Sequence, residues 1–411
     1  MNAVVSVRQA ACDAVGFAAI GPATGNLTIG RGALDGQALH VAIVENRIAS
    51  GSIGVAEAGK LASLFKLAAI ERSPLVVCLD SAGARVSEGL AALGAFRRAY
   101  SEGLRAQWAG APMAFVLGAN CFGGASLFAQ LGAARLFSPG TRLAMSGPSI
   151  LAQMAGGSAL DETMRAVVVA AIGAEARAQG DGNTLWRANL DVSTWLRQAL
   201  SPVDASAPAI ARHARLGAQL PKAAPASSLV AGAAVLEHLF PEGRSLQLAG
   251  GVLSGTAMRD GVAVPVIGLL GETPVGAATT WRFAELAWAA SGQDAASLEV
   301  VLDCESHATR LEDERLGLSE YLADAALALA SARERGLHVR LTVIGDAGGG
   351  VYVALAAPAS RVSVAVGATI HVLPASAMAS ILGADPETPA SPEDHLASGV
   401  ADDEVGLGLI E

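Results

Sequence analysis

Aromatic residues make up only 4% of this chain of 411 residues, charged residues only 16%, and cysteine occurs four times. Each shortage excludes something. Cys12, Cys78, Cys121 and Cys304 are scattered without paired spacing, so neither a zinc site nor a disulfide framework is expected, and a reducing cytoplasm is the simpler setting. Cys78 and Cys304 fall in predicted strands, where a thiol acts as a small buried hydrophobe rather than a nucleophile. No apolar run reaches 18 residues without a charge or a turn-former, which argues against a membrane span. The N-terminus has no basic stretch leading to an apolar core and a cleavage site, so no targeting leader is expected. Acidic residues outnumber basic ones, 38 to 28, and no basic cluster stands out; the net charge of -10 argues against nucleic acid as a partner.

Small and aliphatic residues fill the gap. Apolar residues reach 52% and there are 47 glycines, enough to build buried sheets, closely approaching backbones and a large subunit interface. A chain of this length is expected to form two or three domains, at roughly 100 to 200 residues each. Runs rich in Val, Ile and Leu at 40–44 and 75–79 read as buried parallel strands, and Ala58, Leu61, Leu64, Phe65 and Ala68 between them recur at helical spacing. The alternation continues with a helix over 86–100, a strand over 113–117, a helix over 125–131 and a short strand at Leu136-Phe137. From about 205 to 228 the periodicity fades into a stretch rich in Ala and Pro, with Pro202, Pro208, Pro221 and Pro225, which is read as a linker and a domain boundary. The expected domains are therefore 1–228 and 229–411. After the boundary the pattern resumes, with strands over 265–270, 298–302, 339–344 and 362–366 and helices over 279–290, 316–335, 351–356 and 375–382. The fold class is α/β, with mainly parallel sheets flanked by helices. Asp394, Asp402, Asp403 and Glu404 read as a solvated acidic end.

One device occurs twice. Met113 to Leu117 leads to Gly123-Gly124, and Val339 to Ile344 leads to Gly348-Gly349-Gly350, each time ahead of a helix-like stretch. Moved back onto the first copy, Gly276 falls on Gly54, Asp303 on Asp80, Arg310 on Arg85, Gly349 on Gly123 and Arg361 on Arg135, with offsets of 222, 223, 225, 226 and 226. One fold built twice explains so small a drift. A strand that stops at paired glycines and turns into a helix leaves backbone N–H groups bare, and these can hold developing negative charge as an oxyanion hole.

The run from Asp80 to Gly89, Asp-Ser-Ala-Gly-Ala-Arg-Val-Ser-Glu-Gly, followed by Cys121-Phe122-Gly123-Gly124-Ala125, resembles the carboxyltransferase branch of the crotonase superfamily. With Ser146-Gly147-Pro148 downstream, the first half is similar to the beta subunit of biotin-independent malonate decarboxylase. The second half, with Arg315-Leu316-Gly317-Leu318, the glycines from Gly345 to Gly350 and His371-Val372-Leu373 before Ala377-Met378-Ala379, resembles the gamma subunit, so the chain looks like a beta-gamma fusion. The resemblance implies two tandem crotonase-like (ClpP/crotonase) domains. It also implies decarboxylation of a malonyl thioester, carried on the phosphopantetheine-type (dephospho-coenzyme A) arm of an acyl carrier protein or on coenzyme A, through an enolate to the acetyl thioester. No tightly bound cofactor and no metal is expected; the implied partners are the acyl carrier protein and other malonate decarboxylase subunits. Family active sites lie where the two types of domain meet, which a fused chain would satisfy within itself or by head-to-tail dimerisation, and a homo-oligomer is expected.

Carried over by motif, one oxyanion donor comes from Gly83-Ala84 and the other from Gly123-Gly124, with a parallel hole at Gly349-Gly350 that serves carboxylated biotin in biotin-dependent relatives. Several side chains carry two readings. His307 is a candidate proton donor or a surface-loop histidine, and His371 is a functional or a packing residue. Arg85 and Arg310, with Ser81 beside the first turn, would bind carboxylate or phosphate, or Arg85 and Arg310 would fix their loops through Glu88 and Glu312. Glu88 and Glu305 would tune protonation or cap helices, and Ser146-Gly147 would line the acyl pocket or form a turn. The chain departs from the pattern at Ala82, at Ser149 where the beta subunit carries Glu, and at the bulky Val351. Two other functions fit the motifs: a biotin-dependent acyl-CoA carboxyltransferase, and a non-catalytic scaffold that binds an acyl carrier.

Overall fold

Leu75–Ser81 and Met113–Phe122 are buried along most of their length and pair in parallel, as strands covered on both faces must. In a computed structural model the described residues are 6–148, 150–151, 162–202, 206–221, 227–229, 234–271, 274–373 and 390–406. They form two units. The first comprises Met1–Ser87, Arg98–Pro208 and Thr309–Glu320; the second comprises Glu88–Arg97, Ala209–Ala308 and Tyr321–Glu411.

Each unit is built on one mixed sheet. In the first, an antiparallel hairpin, Leu27–Leu34 with Gln37–Val44, leads into parallel strands Leu75–Ser81, Met113–Phe122 and Ala134–Phe137. Val41, Val76, Val116 and Leu136 on one face meet Val7 and Ala11 of helix Val7–Ala14 and Trp195 and Leu196 of helix Val192–Ala199. In the second, the antiparallel pair Arg244–Ala249 and Val252–Arg259 leads into Val262–Leu270, then parallel strands Ser297–Cys304, His338–Gly348, Arg361–Ala365 and Asp403–Val405. Both units therefore have the α/β, mainly parallel architecture expected of carboxyltransferase domains. Among the described residues no helix is long and apolar enough to cross a membrane.

The repeat is visible in backbone detail. Gly54 and Gly276 cap the helices Val55–Glu71 and Ala277–Ser291 with nearly the same dihedrals, φ/ψ of -93/-173° and -96/-177°. Both central strand pairs slip register at the repeated aspartate, between Leu79 and Ser81 and between Leu302 and Cys304. Asp80 accepts the N–H groups of Ala119 and Asn120 at 3.1 and 3.0 Å, and Asp303 accepts that of Asp346 at 3.1 Å. Each aspartate lies against a glycine of the next strand: a Cβ on Gly118 would sit 2.6 Å from the Asp80 Cβ, and one on Gly345 would sit 2.1 Å from Asp303 Oδ1. The Asp–Gly contact locks the strand ends that carry the turns.

Several details differ from the sequence expectations. The helix expected over 86–100 begins as a single 3-10 turn, Val86–Glu88, and runs on as Gly89–Trp108. The stretch read as a linker contains helix Ser206–Ala218, with Pro208 in its first turn, where a missing N–H costs little. That helix is held by packing: His213 stacks on Trp281 at 5.1 Å and lies 2.7 Å from the buried Asp324 carboxylate. The acidic end is ordered rather than merely solvated, since Asp394 completes a capping box with Ser391, Asp402 accepts from Arg97, and Asp403 lies in a strand and pairs with Arg361. Arg361 is not the counterpart of Arg135: Phe115 pairs with Arg135 but its equivalent Leu341 pairs with Val362, a one-residue offset. The helix expected over 375–382 lies outside the described residues.

Gly118→Ala is expected to destabilise the protein by about 1–3 kcal/mol, because the added methyl must displace Asp80 from its lock. Chemical denaturation measures this; an unchanged midpoint and slope would contradict the close packing.

Candidate functional site

Asp80 lies at the end of strand Leu75–Ser81, which is followed by a turn that Gly83 alone among its neighbours makes with a left-handed backbone, φ +95°. Ile53 grips this turn from both sides: its N–H donates to Gly83 O at 2.8 Å and its carbonyl accepts from Arg85 N–H at 2.9 Å. Gly83 N–H turns back onto Ser81 Oγ at 3.1 Å. The N–H of Ala84, between these anchors, has no acceptor among the described residues.

The second turn follows Phe122. Gly123, at φ +54°, donates its N–H to Met145 O at 3.1 Å. Gly124 then opens helix Gly124–Ala129, where the helical pattern offers its N–H no partner. The turns abut: a Cβ on Gly83 would stand 2.9 Å from Phe122 O and 3.2 Å from Gly124 N. The structure thus brings together all four residues carried over from the motifs and narrows the donors, since the N–H groups of Gly83 and Gly123 are engaged and those of Ala84 and Gly124 remain. A cavity of about 460 Å³ elsewhere in the first unit is lined by Arg8, Cys12 and Glu45, among others.

Arg85 points away from the role of an anion receptor. Its guanidinium pairs with Glu57, whose carboxylate is 1% exposed, and donates to Ser52 O at 2.8 Å. Burial pushes the Glu57 carboxyl up, but hydrogen bonds from Arg85 and from backbone N–H groups outweigh it and leave the group below its ordinary range. Glu57 therefore braces this loop through Arg85. Arg310 pairs with Asp313 at 2.8 Å, not with Glu312, and is largely exposed.

In the second unit the counterpart loop is offset from the sequence match. Val275 N–H donates to Ser306 O and Ala308 N–H to Val275 O, so His307 occupies the place of Ala84 and Ala308, not Arg310, that of Arg85. Gly349, at φ +55°, packs on this loop: its added Cβ would lie 2.8 Å from Ser306 Oγ and 3.4 Å from His307 Nδ1. Gly350 follows in helix Gly349–Ala356, and Val351 is buried in it. His371 covers Gly348, whose added Cβ would meet its Nε2 at 2.2 Å. Burial drives His307 down to about 4 and lowers His371 as well, so both imidazoles are neutral at pH 7.

The residue that sequence reasoning missed is Glu314. Helix Leu311–Leu316 belongs to the first unit, where Leu311 joins Ala144, Leu151, Val168 and Ile172 in one apolar cluster. Glu314 is fully buried there. Its Oε1 accepts the N–H of Ser146 at 2.9 Å, and Ser146 follows the residue whose carbonyl holds Gly123. Among the described residues its Oε2 accepts no hydrogen bond; Arg177 stands 3.8 Å away and donates instead to the carbonyls of Glu314 and Leu143. Burial raises this carboxyl to about 7 against the opposing pull of Arg177. Ser146 is buried and Gly147 is half-buried beside it, while Ser149 lies outside the described residues.

Because His307 is neutral in the fold down to about pH 4 but charges near 6.5 when unfolded, its contribution to stability is complete above about 6.5 and is lost as pH falls towards 4. The unfolding free energy is expected to decline over that window less steeply in a folded His307→Gln protein than in the parent. Equal slopes would contradict the buried neutral imidazole.

The carboxyl transferase domain family model matches residues 5–223, more than half of the chain, and the malonate decarboxylase gamma subunit model matches residues 271–388. The acetyl-coenzyme A carboxylase carboxyl transferase subunit beta of Gluconobacter oxydans is 31% identical over 126 residues, which is 30% of this chain and 44% of that protein. The methylmalonyl-CoA carboxyltransferase 12S subunit of Propionibacterium freudenreichii is 26% identical over 138 residues, 34% of this chain and 26% of that protein. A solved Pseudomonas malonate decarboxylase MdcD-MdcE hetero-dimer aligns with 52% of this chain and 94% of the matched chain at 25% identity, with a TM-score of 0.41. The chain thus spans less than half the length of these curated relatives. The two family models lie in the order that the motifs imply: the second half matches the malonate decarboxylase gamma subunit model, and this chain belongs to the carboxyl transferase family.

Proposed function

We propose that this protein decarboxylates a malonyl thioester to an acetyl thioester, with residues 1–228 acting as the beta-like part and 229–411 as the gamma-like part. The observation that carries the reading is the abutment of the turns at Gly83-Ala84 and Gly123-Gly124, with the N–H groups of Ala84 and Gly124 unclaimed among the described residues. Loss of carbon dioxide moves an electron pair onto the thioester oxygen, and two preset N–H donors stabilise that oxyanion more than the ground-state carbonyl. The thioester is carried on the phosphopantetheine-type arm of an acyl carrier protein or on coenzyme A, and the protein works with other decarboxylase subunits as part of a homo-oligomer. The turn at Gly349-Gly350, flanked by Ser306, His307 and His371, serves a separate step or carrier in this reading.

A second reading is favoured by one observation: the curated relatives include acetyl-coenzyme A carboxylase carboxyl transferase subunits. A biotin-dependent carboxyltransferase would place carboxylated biotin at the second turn.

Purified protein given a malonyl thioester is expected to release carbon dioxide, and avidin is expected to leave the rate unchanged; inhibition by avidin would transfer the activity to the biotin-dependent reading. Gly124→Pro tests the hole. Proline fits the first position of a helix, so the fold should survive while one donor disappears. Turnover is expected to fall about 10²- to 10³-fold. An undiminished rate in the folded variant would reject the placement.

A further inference from the structure

An enolate left by decarboxylation needs a proton at its carbon, and the histidine that the sequence offers for this is a neutral imidazole at pH 7 and so a poor acid. His307 belongs to the second unit and burial keeps it neutral. The first unit contains a different acid, linked through Ser146 to the segment that holds the second turn. Glu314 is fully buried, its Oε1 is held by Ser146 N–H, and Ser146 adjoins Met145, whose carbonyl fixes Gly123. The carboxyl is thus tied to the same short segment that sets the second turn. Its other oxygen has no hydrogen-bond partner among the described residues. A buried oxygen left in this state costs stability and requires either a proton or a ligand to account for it.

Resting on the decarboxylase reading, we propose that Glu314 is the acid that protonates the enolate carbon, through its unpartnered Oε2. In this step the bond between the α-carbon and the carboxylate breaks and carbon dioxide leaves with the electron pair held as the enolate. The pair then returns to the α-carbon, which takes the proton from Oε2, giving the acetyl thioester and the Glu314 carboxylate. Solvent restores the proton. Arg177, 3.8 Å from Oε2, stabilises the carboxylate that remains without forming a hydrogen bond that would hold the group permanently ionised. Among the described residues, the charged groups acting on Glu314 are Arg177 and the adjacent Asp313, while Glu320 acts on Arg177. Burial sets the resting state: it favours the neutral acid and raises the group to about 7, near the optimum for a general acid at neutral pH.

Partitioning of the enolate distinguishes proton donation from a structural role. An enolate deprived of its acid survives longer and recaptures carbon dioxide, so labelled carbon dioxide should exchange into unreacted malonyl thioester. In Glu314→Gln, net acetyl thioester formation is expected to fall about 10²- to 10³-fold while the ratio of label exchange to net turnover rises at least about tenfold. Net turnover equal to the parent's, or exchange and turnover reduced in equal proportion, overturns the proposal. If Glu314→Gln does not fold, the parent enzyme decides: the exchange ratio should rise as pH increases through about 7, and a ratio flat across that range overturns it. Release of carbon dioxide by the parent keeps this test separate from the function itself. A parent enzyme that releases none defeats the decarboxylase reading and the proton donor with it.

Discussion

The absence of a side chain at Gly83 is the constraint on which the first unit's site depends. A single Cβ there would press to 2.9 Å on Phe122 O, closer than packed atoms tolerate, and to a tight 3.2 Å on Gly124 N, and Gly83 also takes a backbone conformation that other residues resist. The two turns can touch only because this atom is missing. Their contact in turn rests on strands held at matched ends by Asp80 against Gly118, and on two external grips, Ile53 on the first turn and Met145 on the second. Ser81 Oγ takes the N–H of Gly83 and Met145 O that of Gly123, while those of Ala84 and Gly124 have no partner among the described residues, so the orientation of these donors is set by the backbone and costs little to reorganise.

The same frame occurs in the second unit with different chemistry. The cap at Gly276, the aspartate lock at Asp303 and the grip by Val275 all repeat. Where the first unit has Ala84, Arg85 and a buried Glu57, the second has His307, Ala308 and Thr279. The ion pair that braces the first turn is therefore replaced by the uncharged Ala308 and Thr279, and an imidazole stands where a methyl group stood. Identical scaffolding with different side chains at the turns suits two sites of different task, as expected when function resides in the site rather than in the fold.

Much of this was legible in the sequence because it is local. Paired glycines, the aspartate at each strand end and the alternation of strands and helices are recorded within short windows, and the order of the two halves follows from their motifs. What was not legible depends on distance. Glu314 lies 168 residues from Ser146, in a segment that reads as part of the second half but belongs to the first unit. Its acidic neighbours Glu312 and Asp313 look like ordinary helix-start residues, and nothing near them in sequence reveals the burial. Arg310 looked like a copy of Arg85 because the residue type recurs, whereas the bridge at Val275 puts Ala308 there. The helix Ser206–Ala218 escaped notice because stacking of His213 on Trp281 and the buried Asp324 hold it, not a strong pattern of its own.

A crystal structure with a non-decarboxylating malonyl thioester analogue tests the central claim most directly. The account predicts the thioester oxygen at about 2.7–3.1 Å from both the Ala84 and the Gly124 nitrogens. A thioester bound with its oxygen at the Gly349-Gly350 turn instead, or facing neither amide, would contradict it.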